Sequence, residues 1–376
     1  MLALAVAMGV GRFAFTPLLP LMARDGLLAG NAGAWLAAAN YVGYLLGALW
    51  AASLSWPPAR LIAASLAGIV ALTFAMGAAV SLPLWLALRF AAGVLSAVTL
   101  VSTSAWALQA LAYLRRPQLA GVIYSGVGLG IALAGLFCLG AAQPGVGALA
   151  LWRELGLLAA VPACAVILLL RATPNESRNP AQAAGGNRDI PPGSAMLVLC
   201  YGLFGFGYIL PATFLPAMAR ALVDDPQRFG LAWPLFGLAA AVSTLLAAWG
   251  SHRIPRLKLW AICHAMMALG ALLPIAWKSL PAVVAAALLV GGSFMVATMA
   301  GLQEVRARAP HAATKLLARM TGAFAAGQIA GPLVTALLAA LPATSAAALP
   351  IASDVAALGL ALSALYLWWQ PQSSSS

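Results

Sequence analysis

From Leu2 to Trp369 the chain alternates long apolar stretches with short polar breaks. None of the stretches has the alternating in-out pattern of a membrane strand. Twelve of them reach the length needed to cross a bilayer, about 20 residues each: 2–23, 32–54, 60–79, 82–110, 118–141, 151–170, 195–219, 229–250, 257–277, 281–303, 316–340 and 347–369. Inside lipid a backbone has to satisfy its polar groups within its own segment, so each run predicts a helix. The expected fold class is an all-α membrane protein with twelve transmembrane helices. Polar residues gather in one internal stretch, Arg171–Ser194, rich in Pro, Asn, Gly and Arg. Six runs precede it and six follow. The composition predicts a linker over 172–194 between a bundle at 1–171 and a second at 195–369, with a disordered tail at 370–376.

The two halves repeat each other. Gly9, Gly11, Leu19, Pro20, Met22, Ala23 and Arg24 have counterparts in Gly205, Gly207, Leu215, Pro216, Met218, Ala219 and Arg220. Further along, Trp35 answers to Trp233, Gln109 to Gln303, and Gly126 and Gly135 to Gly322 and Gly331. A repeat of six spans keeps its orientation, which predicts a parallel pseudo-twofold relation between two six-helix bundles. The first run has the look of a signal-peptide core, but it lacks a basic segment in front. Its match to 205–220 marks it as a helix that is kept.

Composition sharpens this picture. The chain has 376 residues, 63% of them hydrophobic and only 7% charged, where a soluble domain carries roughly 25% charged. The formal charge of +12 would suit a nucleic-acid partner if it were clustered, yet it follows the loops. With the N-terminus inside, thirteen Lys and Arg fall in cytoplasmic loops and five in external ones. That bias predicts a multi-pass protein of the bacterial inner membrane with both termini in the cytoplasm. The bilayer, and no nucleic acid, is the partner implied. Cys138, Cys164, Cys200 and Cys263 all lie within apolar runs, so no disulfide framework, metal cluster or cofactor is expected.

Two charges break the apolar pattern. Arg12 and Arg89 each carry a cost of roughly 2.5–3.5 kcal/mol at the centre of a membrane helix. At about 1.5 Å per residue, Arg12 lies some 16 Å into its span from the inner end and Arg89 some 10 Å from the outer end of its own. They should sit at similar depth. A guanidinium stays charged and grips carboxylate or phosphate with a two-pronged fork, so the pair points to an anion. Alternatively, one or both bond helix carbonyls or a neighbouring acid and merely pin helices together. Asn40 and Tyr44 share a face of the second run, Tyr201, Phe204 and Tyr208 one of the seventh, and Thr321, Phe324 and Gln328 one of the eleventh. Tyr208 is the repeat partner of Arg12, so the halves offer a solute different chemistry. None of the eight acids lies mid-span in a candidate cavity helix. Glu304, at the inner end of the tenth run, is either a cytoplasmic gate charge facing Arg115 and Arg116 or a solvated surface charge.

Gly9-Val-Gly-Arg-Phe-Ala-Phe-Thr-Pro-Leu-Leu-Pro20 and Ala39-Asn-Tyr-Val-Gly-Tyr-Leu-Leu-Gly47 resemble the YbfB-type branch of the major facilitator superfamily. The resemblance runs the full length. It implies a central cavity lined by spans 1, 4, 7 and 10, flanked by 2, 5, 8 and 11, and alternating access by rocking of the halves. Arg89-Phe-Ala-Ala-Gly93 is similar to that superfamily's arginine-glycine motif. Gly126-Val-Gly-Leu-Gly-Ile131 has isoleucine where its antiporter motif has proline, and Ser53–Arg60 lacks the aspartate usual in that loop.

The expectation is therefore a transporter and not an enzyme, since the sequence has no HExxH, no ligand cluster and no P-loop. It moves a small organic solute, anionic in preference to cationic, by secondary active or facilitative transport. The substrate-binding residues expected are Arg12, Arg89, Asn40, Tyr44, Tyr208 and Gln328; the gating residues are Glu304, Arg115 and Arg116. A coupling proton is a further conceivable partner, and a monomer is expected. The rival reading is a proton-coupled exporter of lipophilic or drug-like compounds, with the arginines serving conformational change.

Overall fold

The computed structural model describes residues 1–29, 32–51, 54, 56–78, 80–116, 119–141, 145–172, 193–223, 225, 230–250, 254–309 and 313–371. Most of the predicted linker, and the end of the tail from 372, lie outside the described residues. Among those described there is no strand. Among the described residues twelve helices are long and apolar enough to cross a membrane. We number them α1 (Leu2–Arg24), α2 (Ala32–Ala51), α3 (Pro58–Met76), α4 (Leu82–Tyr113), α5 (Ala120–Ala141), α6 (Ala148–Ala172), α7 (Ser194–Leu222), α8 (Ala232–Gly250), α9 (Arg256–Ala276), α10 (Leu280–Arg308), α11 (Ala313–Ala340) and α12 (Ala348–Trp369).

Packing repeats with the sequence. In the first six helices α4 packs against α2 and α3, α3 against α6, and α5 against α1. Six helices later the same neighbours recur: α10 against α8 and α9, α9 against α12, and α11 against α7. The contacts between halves obey the same rule, because α5 packs on α8 and its counterpart α11 packs on α2. Thr16 Oγ1 donates to the Ala212 carbonyl at 3.1 Å, and these two residues are themselves equivalent in the repeat. Equivalent residues can meet only beside the axis that relates them, so the pseudo-twofold axis passes between α1 and α7.

Helices sort into inner and outer by how much apolar surface their neighbours cover. In α1, 83% of the most apolar window is buried by protein; in α6 the figure is 22%. Val161, Leu168 and Leu169 on α6 and Leu358, Leu362 and Leu365 on α12 point away from the protein, as a lipid-facing surface does. Where α5 crosses to α8, small residues permit close approach. A Cβ on Gly128 would run into the backbone of Gly237 and Ala241, and one on Gly237 into Gly128 and Ala132.

The first helix departs from the expectation of a regular span. Ala5–Arg12 is wound as a π-helix, Phe13 and Ala14 form a turn, and an α-helix resumes at Phe15. The Phe13 amide reaches back five residues to the Met8 carbonyl at 3.0 Å. Pro17 explains where the break falls. It sits in the first turn after the break, where a missing N–H costs nothing, and its ring would clash with a regular helix running through Phe13. The widened turn also fits close neighbours. A Cβ on Gly9 would strike the Gly130 backbone of α5, and one on Gly11 would crowd Ile69 and Ser96. The equivalent stretch of α7 stays α-helical through Pro211 and Pro216.

Candidate functional site

The break in α1 leaves two carbonyls in search of donors, and Arg89 supplies them. The Arg12 carbonyl would bond the Thr16 amide in a regular helix, but that amide goes to Phe13 at 3.1 Å. Its next possible partner is Pro17, which has no N–H. From α4, Arg89 donates through one terminal nitrogen to the Gly11 carbonyl at 3.2 Å and through the other to the Arg12 carbonyl at 3.0 Å. Its guanidinium also lies 4.8 Å from the Phe15 ring centroid. A cation at the carbonyl end of a helical segment meets the negative pole of its dipole. The structure thus gives Arg89 backbone partners, which is the helix-pinning alternative, while its Nε is left with no partner.

Arg12 looks the other way, into the second half. One of its terminal nitrogens donates to Gln328 Oε1 of α11 at 2.6 Å. Gln328 in turn donates through Nε2 to the Tyr208 hydroxyl of α7. Tyr44 of α2 lies over the guanidinium, 3.9 Å from ring centroid to Cζ, with Phe13 and Tyr41 at 5.2 and 5.4 Å. Such stacking holds a cation out of water at modest cost. Arg12 and Arg89 are each 2% exposed, covered by other parts of the chain. Protein, not acyl chains, therefore encloses both. Among the described residues no carboxylate lies within ion-pair distance of either guanidinium. Arg12 Nε also has no hydrogen-bond partner.

Four of the six expected binding residues, Arg12, Tyr44, Tyr208 and Gln328, come together at this point. Asn40 is fully buried one turn from Tyr44 on α2, but its amide nitrogen donates to the Arg89 carbonyl at 2.9 Å, fastening α2 to α4. Its Oδ1 has no partner. Among the expected gate residues, Arg115 and Arg116 are exposed, and Arg115 has a positive φ of 53°. Glu304, 1% exposed, pairs with Arg308 Nε at 2.6 Å, a partner that the sequence reading did not name. The reason is local: residues four apart on a helix share a face. Arg308 also donates to the Pro371 carbonyl at 2.6 Å, tying the segment after α12 to α10.

Two features were missed in the sequence. One is the aromatic wall around Tyr208, whose ring stacks nearly parallel on Phe294 and Phe324 at 5.4 and 5.6 Å. Its signal was present as Phe324 on the stripe with Gln328, but Phe294 belongs to α10. The other is Trp233, noticed only as an echo of Trp35. It is fully buried, it stacks on Phe236 at 4.9 Å, and its Nε1 has no partner.

His264 is settled by its neighbours. Trp260 Nε1 can only donate, and it does so to His264 Nε2 at 2.7 Å. The ring proton is then on Nδ1, which bonds Ser363 Oγ at 2.8 Å. The imidazole joins α9 to α12, away from the arginines.

The end of the bundle that carries Arg24 is closed by bonds between halves. Besides Thr16 and Ala212, the Tyr41 hydroxyl meets Thr213 Oγ1 at 3.0 Å and Arg220 donates to the Pro20 carbonyl. Arg24 pairs with Asp25 at 2.8 Å and donates to the Val146 carbonyl, while the Ala148 amide donates to Asp25 at 2.6 Å. Partial burial alone would raise the Asp25 carboxyl. Hydrogen bonds from Arg24 and Ala148, with the charges of Arg24 and Arg220, hold it below its ordinary value.

A family model described as "Uncharacterised MFS-type transporter YbfB" matches residues 4–367. No similar protein is found among curated sequences. Among solved structures the chain is similar to one described as "Crystal structure of D-xylose-proton symporter". The TM-score is 0.73 over 100% of this chain and 97% of that one, at 14% sequence identity. At that identity the likeness speaks to the fold.

Proposed function

This chain belongs to the YbfB-type family of major facilitator superfamily transporters, and on that premise we propose that it carries a small organic anion across the inner membrane by alternating access. Both termini would lie in the cytoplasm, with 1–171 and 195–369 as the rocking units. One observation carries the choice of anion. Two guanidiniums are enclosed by protein at mid-span with no carboxylate among the described residues to balance them, and the Nε of each has no hydrogen-bond partner. An enclosed, uncompensated charge is costly, and a bound anion removes that cost.

Arg12 is the contact residue in this reading and Arg89 positions it through the α1 backbone. Gln328 holds the Arg12 fork when no solute is present. Its amide oxygen is neutral, so a carboxylate forms the stronger, charge-assisted bond and displaces it. The bond displaced joins the two halves, so solute binding and loosening of the halves become one event. Tyr44 and Tyr208 orient the solute, Asn40 secures α2, and Glu304 acts at the opposite end through Arg308 and Pro371.

Reconstitution into vesicles with a panel of carboxylates, neutral solutes and lipophilic cations tests this. Arg12→Gln should abolish carboxylate movement. An unaltered rate and selectivity in that variant would overturn the anion site. It would favour instead a proton-coupled exporter of lipophilic compounds, for which the aromatic wall around Tyr208 is the supporting observation.

A further inference from the structure

The residues around Arg12 form a closed circuit of contacts through five helices and both halves. From Arg12 it runs by hydrogen bonds through Gln328 to Tyr208. Tyr208 stacks on Phe294 at 5.4 Å, and Phe294 meets Phe236 at 5.4 Å. Phe236 stacks on Trp233, Trp233 meets Phe13 at 6.2 Å, and Phe13 returns to Arg12 at 5.2 Å. This circuit contains one guanidinium, one amide, one phenol and one indole; every other member is a hydrocarbon ring. It holds no carboxylate and no ammonium. Two of its buried donors, Arg12 Nε and Trp233 Nε1, have no acceptor. Phe13 touches both of these side chains.

Resting on the anion reading above, we infer that the solute is a monocarboxylate with a flat apolar body, and that Trp233 is a specificity residue donating to its carboxylate. The contact geometry sets the first half. Arg89 spends both terminal nitrogens on the α1 backbone, so Arg12 alone is placed to grip a solute, which matches one carboxylate and not two. The wall sets the second half. A sugar needs a hydrogen-bond partner for nearly every hydroxyl, and a site built to pair hydroxyls discriminates strongly for them. Here the ring faces offer stacking instead, which favours an aromatic or similarly planar body. A carboxylate has two oxygens, one for the Arg12 fork and one for the indole N–H. That satisfies the two orphaned donors together.

The test uses the full chain in vesicles, with labelled benzoate as probe and benzamide, acetate, phthalate, inorganic phosphate and D-xylose as competitors. Benzoate should be carried, and none of the competitors should displace it at equal concentration. Trp233→Phe keeps the stacked ring while removing the N–H. It should raise the half-saturating benzoate concentration about tenfold, in line with one charge-assisted hydrogen bond, while half-saturation by benzamide does not move. If acetate, phthalate or phosphate is carried as well as benzoate and Arg12→Gln stops it, the anion site stands and this inference falls. If Trp233→Phe leaves half-saturation unchanged, the indole assignment falls. If benzamide matches benzoate, or Arg12→Gln has no effect, the anion reading falls too. Failure of benzoate to bind or move overturns the inference outright.

Discussion

Arg12 and Tyr208 hold equivalent positions in the two halves, and they meet at opposite ends of one side-chain amide, that of Gln328. A symmetric pair of residues is thus read by a single asymmetric group, since Gln328 aligns with Ala132 in the repeat. The donor sense follows from chemistry. A guanidinium can only donate, so it takes the amide oxygen, and the amide nitrogen is left for the phenol. The two helices match across the repeat, and Arg12 and Gln328 make the region between them polar.

Arg12→Lys keeps the charge and removes the fork, so it separates the two contributions. We expect carboxylate transport to fall about tenfold or more, with the protein still folded, because an ammonium cannot reproduce the two-pronged grip. Initial uptake rates normalised to protein in the vesicle provide the measurement. Full activity in the lysine variant would mean that charge alone suffices.

For Arg89 the expected signature is different. Its terminal nitrogens touch only the carbonyls of Gly11 and Arg12, so Arg89→Gln loosens the break in α1 without removing a solute contact. Maximal rate and melting temperature should both drop while the half-saturating concentration moves little. A selective rise in half-saturation would place Arg89 on the solute instead.

Asp25 provides a pH-dependent test outside the membrane. Its carboxyl is held below the ordinary value. A depressed carboxyl stabilises the folded state at pH above its unfolded value, about 3.9, and that stabilisation fades as pH falls through the folded value. The melting-temperature gap between wild type and Asp25→Asn should therefore be constant from about pH 5 to pH 8 and close only in stronger acid. A gap that changed near neutrality would assign the effect to another group.

Much of the architecture was legible in the sequence because membrane spans and repeats are local or nearly periodic signals. Run boundaries match helix ends within a few residues, and the Gly9–Arg24 echo at Gly205–Arg220 corresponds to the near-axis contact of Thr16 with Ala212. Arg12 stood out because charge is rare at that depth. The contacts that decide its chemistry were not legible, since Gln328 is 316 residues away and no helical period reports a partner in another half. The π-helix was hidden for a related reason: glycines at 9 and 11 with Pro17 allow a break, but the backbone of Gly130 and the donors of Arg89 decide its form. For Glu304 a symmetric long-range partner drew attention from Arg308, which lies one turn away on the same helix.

Gly128 and Gly237 offer a test of rocking that leaves the charged site intact. Each faces the other helix's backbone across the α5–α8 contact between halves, with no room for a side chain. Gly128→Leu must push the halves apart along that seam, while the contacts of each half with itself are untouched. Transport should be lost although solute still protects against thermal unfolding. Normal turnover would show that α5 and α8 separate freely during the cycle, and that their close packing belongs to this conformation only.

Gln328→Glu gives the sharpest separation between a solute site and a structural pin. The replacement sets a carboxylate where the amide oxygen now lies, 2.6 Å from the Arg12 nitrogen, and supplies from within the negative charge that the solute would bring. Removing one partner from an enclosed ion pair costs about 3–5 kcal/mol, so the internal pair should outcompete any weakly bound anion and hold the halves together. The expected result is a raised melting temperature with carboxylate transport reduced by about two orders of magnitude or more. Gln328→Ala should act oppositely, lowering thermal stability while tightening apparent solute affinity, because the fork no longer has an internal occupant. If the glutamate variant transports as wild type does, the solute does not compete for the Arg12 fork, and the arginine serves packing alone.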